Sequence, residues 1–374
     1  MQLNMYRFSG VILLILFVFE LHAQTTSNWT NSRGNSQMQG TTSVLFPQKV
    51  KLKWTYNADG IFKSAPVISD GKIVVGSTNG ELLCLDMKGQ IRWKFKTDNA
   101  FEAPALIIGN TVYAGNLSGI LYALDLKTGT KKWEYKTENQ IMGAPAFAEI
   151  KGKRILAVGS YDFYLHGVDA LTGTGLWKYE SDNYLNSSPA IYEGKAVFGG
   201  CDGFLHQVNM KDGKAVSKTQ VATYVASSPA IDGNMAFVGD YDGGFSCIDL
   251  SLKKINWRYE NKESAQPFIA SATIIGNKVV IGSRDKFLYC FDKATGSIVW
   301  KVNTGNRVEA STVANKEQVL TVNMRGDLML LDLKTGKKIW SYELGVGVMN
   351  TPAVVEGAII LAGSDGNVYM LAYP

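Results

Sequence analysis

The sequence predicts an all-β fold, an eight-bladed β-propeller of four-stranded blades in which the N-terminal strand closes the last blade. Three observations predict it. Tryptophan recurs at Trp54, Trp93, Trp133, Trp177, Trp257, Trp300 and Trp340, and Ser217 fills the one double interval. Eight repeats of about 40 residues follow, the period of a four-stranded blade. Each repeat holds short, alternating strands separated by Gly turns, which signals β-structure throughout. The strand count is uneven at the two ends. The last repeat stops after three strands, at Val368-Tyr-Met-Leu-Ala-Tyr-Pro374, and the first Trp strand, Lys51-Leu-Lys-Trp-Thr-Tyr56, has no three before it. Joining the two completes the ring.

The elements follow in chain order. Residues 1–23 read as a signal peptide: Arg7, then the apolar run 10–19, then Leu21-His-Ala23 as a small-residue cleavage site. The run is too short for a bilayer, which needs about 20 residues. The alternative is an uncleaved N-terminal anchor. No Cys follows the run, so a lipoprotein anchor is not available, and no later segment is apolar enough to span a membrane. Residues 24–50, polar and rich in Gly, Ser and Asn, form an arm expected outside the ring. Residues 51–374 form the propeller.

Within a blade the order is constant. A Ser/Ala-Pro start such as Ser64-Ala-Pro66 or Ser187-Ser-Pro189 opens the innermost strand. A Gly turn and a small, β-branched strand such as Lys72-Ile-Val-Val-Gly76 come next. A tight turn leads to an alternating strand such as Gly119-Ile-Leu-Tyr-Ala-Leu-Asp125. The blade ends on Asp-x-x-Thr-Gly-x-x-x-Trp, at Asp125–Trp133, Asp169–Trp177, Asp292–Trp300 and Asp332–Trp340. The Asp accepts backbone hydrogen bonds in the turn and the Gly supplies positive φ. The Trp starts the outermost strand. It can remove roughly 150–250 Å² from water and so fix the spacing of neighbouring blades.

That string resembles the tryptophan-docking motif of pyrroloquinoline-quinone (PQQ)-type propeller repeats, over residues 51–374. Trp29-Thr-Asn-Ser-Arg-Gly-Asn35 resembles the start of exported proteins of this class. The resemblance implies the fold strongly and the function weakly, because the fold hosts both enzymes and scaffolds. One branch is the PQQ-dependent dehydrogenases, which implies PQQ with Ca²⁺ as cofactor. The family places there a vicinal Cys-Cys ring, a Trp floor and a catalytic Asp beside the metal. This sequence has no adjacent cysteines and no large insertion, and its Trp residues other than Trp29 are all assigned to docking. The other branch, the BamB-like non-catalytic propellers of outer-membrane protein assembly, fits better in size, blade number and export. It implies no cofactor, a periplasmic or envelope location, and an envelope protein partner such as the outer-membrane barrel assembly machinery.

Composition bounds the alternatives. Hydrophobic residues are 46% and charged residues 19%, enough apolar content for packed cores. The net charge of +5 is scattered, so nucleic acid is not expected to be a partner. Three histidines leave little for a metal or acid–base site. His166 and His206 fall on equivalent third-strand positions matched elsewhere by Tyr122, Tyr289, Tyr369 and Met329, which favours packing. Cys84, Cys247 and Cys290 also share one repeat position and read as small apolar filler. Cys201 falls in a turn.

Topology puts two loop sets on one face. The loops leading into each innermost strand contribute Lys63, Glu102, Asn186, Glu309 and Asn350 near the central channel. The loops between second and third strands contribute Tyr161, Phe163, Cys201, Tyr241, Arg284, Asp285, Arg325 and Asp327. Aromatic and arginine anchors are the residue types of protein-binding hot spots, so this face is the candidate partner- or ligand-binding surface. A carboxylate pair from Glu102 and Glu309, and carbohydrate binding on Tyr161, Phe163 and Tyr241, stay open as alternatives. Asp240-x-Asp242-Gly and Arg325-Gly-Asp327 read as hairpin turns rather than a calcium loop or an adhesion motif. No catalytic residue and no metal ligand stands out.

Overall fold

A computed structural model describes residues 28–262 and 264–373. The expected signal peptide lies outside the described residues. Eight antiparallel four-stranded sheets form the ring, and seven are contiguous in sequence. Blade 1 is Val67–Ser69, Lys72–Gly76, Glu81–Asp86 and Ile91–Lys96. Blades 2 to 7 begin at Leu106, Ala146, Ala190, Ala230, Thr273 and Val313. Blade 8 is Ala353–Val355, Ala358–Ala362, Asn367–Ala372 and, as its outermost strand, Lys51–Asn57. Lys51 pairs with Ala372 and Asn57 with Asn367, so the expected closure is present.

Burial explains why these segments are strands. Inner strands are covered on both sides by neighbouring blades and read as continuous apolar runs, such as Lys72–Gly76. Outermost strands alternate, as in Lys131–Lys136, where Trp133 and Tyr135 turn inward and the lysines stay in water.

The docking tryptophans act as their spacing implies. Each indole Nε1 donates to a carbonyl of the next blade: Trp54 to Met87, Trp93 to Leu126, Trp133 to Ala170, Trp177 to Met210, Trp257 to Lys293 and Trp300 to Leu333, at 2.9–3.2 Å. Trp340 donates to Pro47 at 2.9 Å, a residue of the arm just before the closing strand. Each ring of the first six lies over a positive-φ glycine. A Cβ at Gly129 would sit 2.7 Å from the ring of Trp93. Across the strand pair, Cys84, Cys247 and Cys290 stand directly opposite Trp93, Trp257 and Trp300. The three thiols are therefore small filler beneath an indole, and burial raises each to about 12.

The arm is a correction to the expectation that it lies outside the ring. Residues 29–42 run across the channel, hydrogen-bonding the free edges of the innermost strands. Trp29 bridges Ile68. The carbonyls of Thr30, Ser36, Gln37, Gln39 and Gly40 accept from Ile107, Ile191, Ile231, Ile274 and Ala314. Six blades thus satisfy an inner-strand amide with the arm, because edge amides inside a channel need partners.

Candidate binding face and channel

The turn between second and third strands needs left-handed backbone, and six blades supply Gly there, at positions 80, 119, 203, 243, 326 and 366. Blades 3 and 6 place Phe163 (φ 75°) and Lys286 (φ 76°) in that slot. A bulky residue in this region is strained, and such strain clusters at functional sites. Phe163 is 40% exposed. Its ring lies 5.1 Å from Tyr184, which stacks on Tyr161 at 4.7 Å. Tyr224 and Tyr241 extend the row, and the Tyr241 amide donates to the Tyr224 carbonyl. Blades 3 to 5 thus carry an aromatic crescent. Tyr184 and Tyr224 are missing from the sequence-based set. Both are aromatics inside otherwise polar interblade loops, which is the signal that would have found them.

The other half of the face is charged. Glu309 Oε1 accepts from Arg284 Nε at 3.0 Å and lies 3.3 Å from Arg307 Nε. Arg325 pairs with its own neighbour Asp327 at 2.7 Å, which fixes the turn. Lys63 of blade 1 meets Glu102 of blade 2 at 2.7 Å. Glu102 and Glu309 each face basic partners.

Three expected site residues face inward. Asn350 is buried, and its amide donates to the carbonyls of Ala362 and Phe62, so it lines the channel wall. Asn186 of blade 4 is half-buried, one residue before Ser187, which takes the repeat position of Asn350. Asp285 accepts from the Phe287 amide, Asn261 and the Tyr289 hydroxyl, and holds its own blade together. The Asp240 carboxylate caps the Asp242 and Gly244 amides and pairs with Arg258 at 2.7 Å. It is a turn group, as its sequence suggests.

The histidines are buried in polar chains. His166 Nε2 meets Asp162 at 3.0 Å and its Nδ1 meets the Tyr135 hydroxyl at 3.0 Å. His206 repeats this with Asp202 and Tyr179. Burial works against the Asp162 carboxylate. Hydrogen bonds from His166 and the Glu138 and Tyr164 amides outweigh it and hold its pKa down to about 2. Both rings are fully enclosed, so these chains link strands and reach no substrate. Among the described residues no cluster of three His, Cys, Asp or Glu could hold a metal ion.

The central channel is a cavity of about 170 Å³ between the face and the arm, lined among others by Lys63, Glu309 and Asn350 near the mouth and by Arg33 and Met38 at the floor. Arg33 is 2% exposed. Burial lowers its pKa to about 9, which leaves it charged at neutral pH.

Residues 29–183, 161–287 and 284–372 each match the family described as outer membrane protein assembly factor BamB. The chain belongs to that family. Among solved structures, BamB from Moraxella catarrhalis is similar at a TM-score of 0.73 and 17% identity, covering 87% of this chain and 98% of that one. A europium-containing methanol dehydrogenase is similar at a TM-score of 0.75 and 13% identity, covering 92% of this chain and 98% of that one. At such identities both likenesses concern the fold. A human curated relative, beta-alanine-activating enzyme, is 31% identical over 101 residues. That match spans 25% of this chain and 9% of the relative's length. The family shares the fold with dehydrogenases. No two cysteines are adjacent in the sequence, and Glu102 and Glu309 at the channel mouth are held by Lys63 and by two arginines.

Proposed function

We propose that this protein is an exported, non-catalytic scaffold that binds an envelope protein, of the outer-membrane assembly type, through its loop face. The observation that carries the reading is the aromatic crescent of Tyr161, Phe163, Tyr184, Tyr224 and Tyr241 beside the arginine pairs. Phe163, Tyr184, Tyr224 and Tyr241 are exposed there on the ring's frame, with Tyr161 half-buried beneath Tyr184, and Phe163 holds a backbone conformation that favours Gly. Aromatic and arginine side chains dominate binding energy at protein interfaces. Family membership supports the envelope setting.

The test is a mild-detergent pull-down of the tagged protein from its own envelope, with wild type, Phe163→Ala/Tyr241→Ala and Arg284→Glu/Arg325→Glu compared. Recovery of an outer-membrane barrel assembly component by wild type, and its loss from both variants at unchanged melting temperature, is expected. Equal recovery by all three would remove the loop face as the binding surface.

A further inference from the structure

The arm crosses the channel and contributes Arg33 and Met38 to the cavity wall, and that wall carries an uncompensated charge. Every acceptor of Arg33 is neutral: the Thr312 carbonyl at 2.7 Å, the Ala272 carbonyl at 2.7 Å, the Thr273 hydroxyl at 2.9 Å and, more weakly, the Ser271 carbonyl. Its Nε is buried without a partner. The charged residues lining the cavity are Arg33, Lys63 and Glu309, and Glu309 is already shared by two arginines. The lumen is therefore net positive. A buried cation without a counter-charge is costly in low dielectric.

The wall adds directional donors. One repeat position, two residues ahead of the innermost strand, carries no hydroxyl in blades 1 to 3 (Ala65, Pro104, Ala144). In blades 4 to 8 it is a hydroxyl: Ser188, Ser228, Ser271, Ser311 and Thr351. Ser188 Oγ accepts the Ala144 amide at 2.8 Å, Ser228 Oγ the Ser188 amide at 2.9 Å and Ser311 Oγ the Ser271 amide at 2.9 Å. Each hydroxyl is thus fixed as an acceptor of the preceding blade. Among the described residues none of these three donates in return, so each has a proton left for the cavity that it lines. The wall also holds one acceptor in want of a donor, the buried Oδ1 of Asn350. Three free O–H donors, a positive floor and one unfilled acceptor match a ligand that is anionic at one end and hydroxylated along its length.

We propose that the channel cavity binds a small hydroxylated carboxylate, its anionic group held by Ser188, Ser228 and Ser311 in the field of Arg33 and a hydroxyl donating to Asn350. The volume of about 170 Å³ suits a single small molecule and excludes a polymer. This site is independent of the loop-face reading, since it faces the lumen and uses none of the crescent.

The experiment is calorimetric titration of the intact protein with gluconate, alongside sorbitol as the uncharged polyol and sodium chloride as the bare anion. Ser228→Asp is the test variant, because it keeps an acceptor for the Ser188 amide while supplying a carboxylate inside the lumen. Saturable one-to-one gluconate binding is expected. Sorbitol and chloride should be at least tenfold weaker, and Ser228→Asp should bind gluconate at least tenfold more weakly while folding as wild type does. No saturable binding by wild type at millimolar gluconate would overturn the proposal. Equal binding of sorbitol or chloride would overturn it too, as would gluconate binding undiminished in a folded Ser228→Asp protein.

Discussion

Six of the eight joints between blades have an indole over a glycine, and the joint between blades 4 and 5 has neither. There Ser217 stands where Trp is expected and Lys253, at φ 58°, stands where Gly is expected. The carbonyl that a Trp would have reached, that of Leu250, is still satisfied. Gln207, directly opposite Ser217, donates its Nε2 to Leu250 at 2.9 Å and to Ser217 Oγ at 2.6 Å. The comparison separates two roles of the tryptophan. The hydrogen bond to the next blade is kept even without the ring, whereas the glycine is needed only beneath a ring. With no indole above it, a Cβ at position 253 meets nothing that forbids it.

The largest effect should come from putting a Cβ under a ring. Gly129→Ala meets Trp93 at 2.7 Å and strains a φ of 72°. It is expected to lose about 2–4 kcal/mol in urea unfolding, as overpacking and left-handed strain combine. Lys253→Ala at the matching slot of blade 5 should change stability by less than about 1 kcal/mol. Equal losses at the two positions would break the comparison.

Next in size is Ser217→Trp, which must displace Gln207 and meet the Lys253 backbone. It should cost about 1–3 kcal/mol alone. Adding Gln207→Ala and Lys253→Gly should recover most of it, a coupling that additive behaviour would contradict. Gln207→Leu tests the hydrogen bond alone. It leaves the Leu250 carbonyl bare and should cost about 1–2 kcal/mol, similar to the hydrogen-bond part of Trp177→Phe, which removes the indole donor to Met210.

A pH dependence lies outside the joints. The folded pKa of Asp162, about 2, lies below its ordinary value of 3.8. The unfolded chain therefore binds its proton first as pH falls. The carboxylate stabilises fully above about pH 4, and this is lost as pH drops through 2, a contribution on the order of 2 kcal/mol. Asp162→Asn should flatten that acid limb in melting temperatures taken from pH 5 to 2. An unchanged slope would assign the limb to other carboxylates.

Much of this was legible in the sequence. Trp period, Gly turns and the uneven strand count give blade number and closure, because the first two report contacts that recur around most of the ring and the third shows where its ends must join. The substitution of Trp by Ser217 was legible, but Gln207 as its replacement donor was not, since that role depends on cross-strand register. The arm was misplaced for a similar reason. Residues 29–42 have no period, and their hydrogen bonds run through backbone groups that every residue carries. The candidate face was read from topology, yet Asn350 and Asp285 turned inward and Tyr184 and Tyr224 were overlooked. Side-chain direction in a loop is set by neighbours that a repeat alignment does not contain. Phe163 and Lys286 were visible as departures from Gly in one repeat slot. What they do to the backbone only the structure displays.

Closure by the strand Lys51–Asn57 also orders events in time. Among the described strands this one is the first in the chain and its partner Asn367–Ala372 the last, so the eighth sheet needs the two most distant strands together. The loop that closes it spans the other seven blades, and pairing across so long a separation is entropically slow. Trp340 waits on the same event, since Pro47 is its acceptor. The closing strand Lys51–Asn57 thus stays without its sheet until the eighth blade forms, even though the arm before it can already pair with blades 1 and 2.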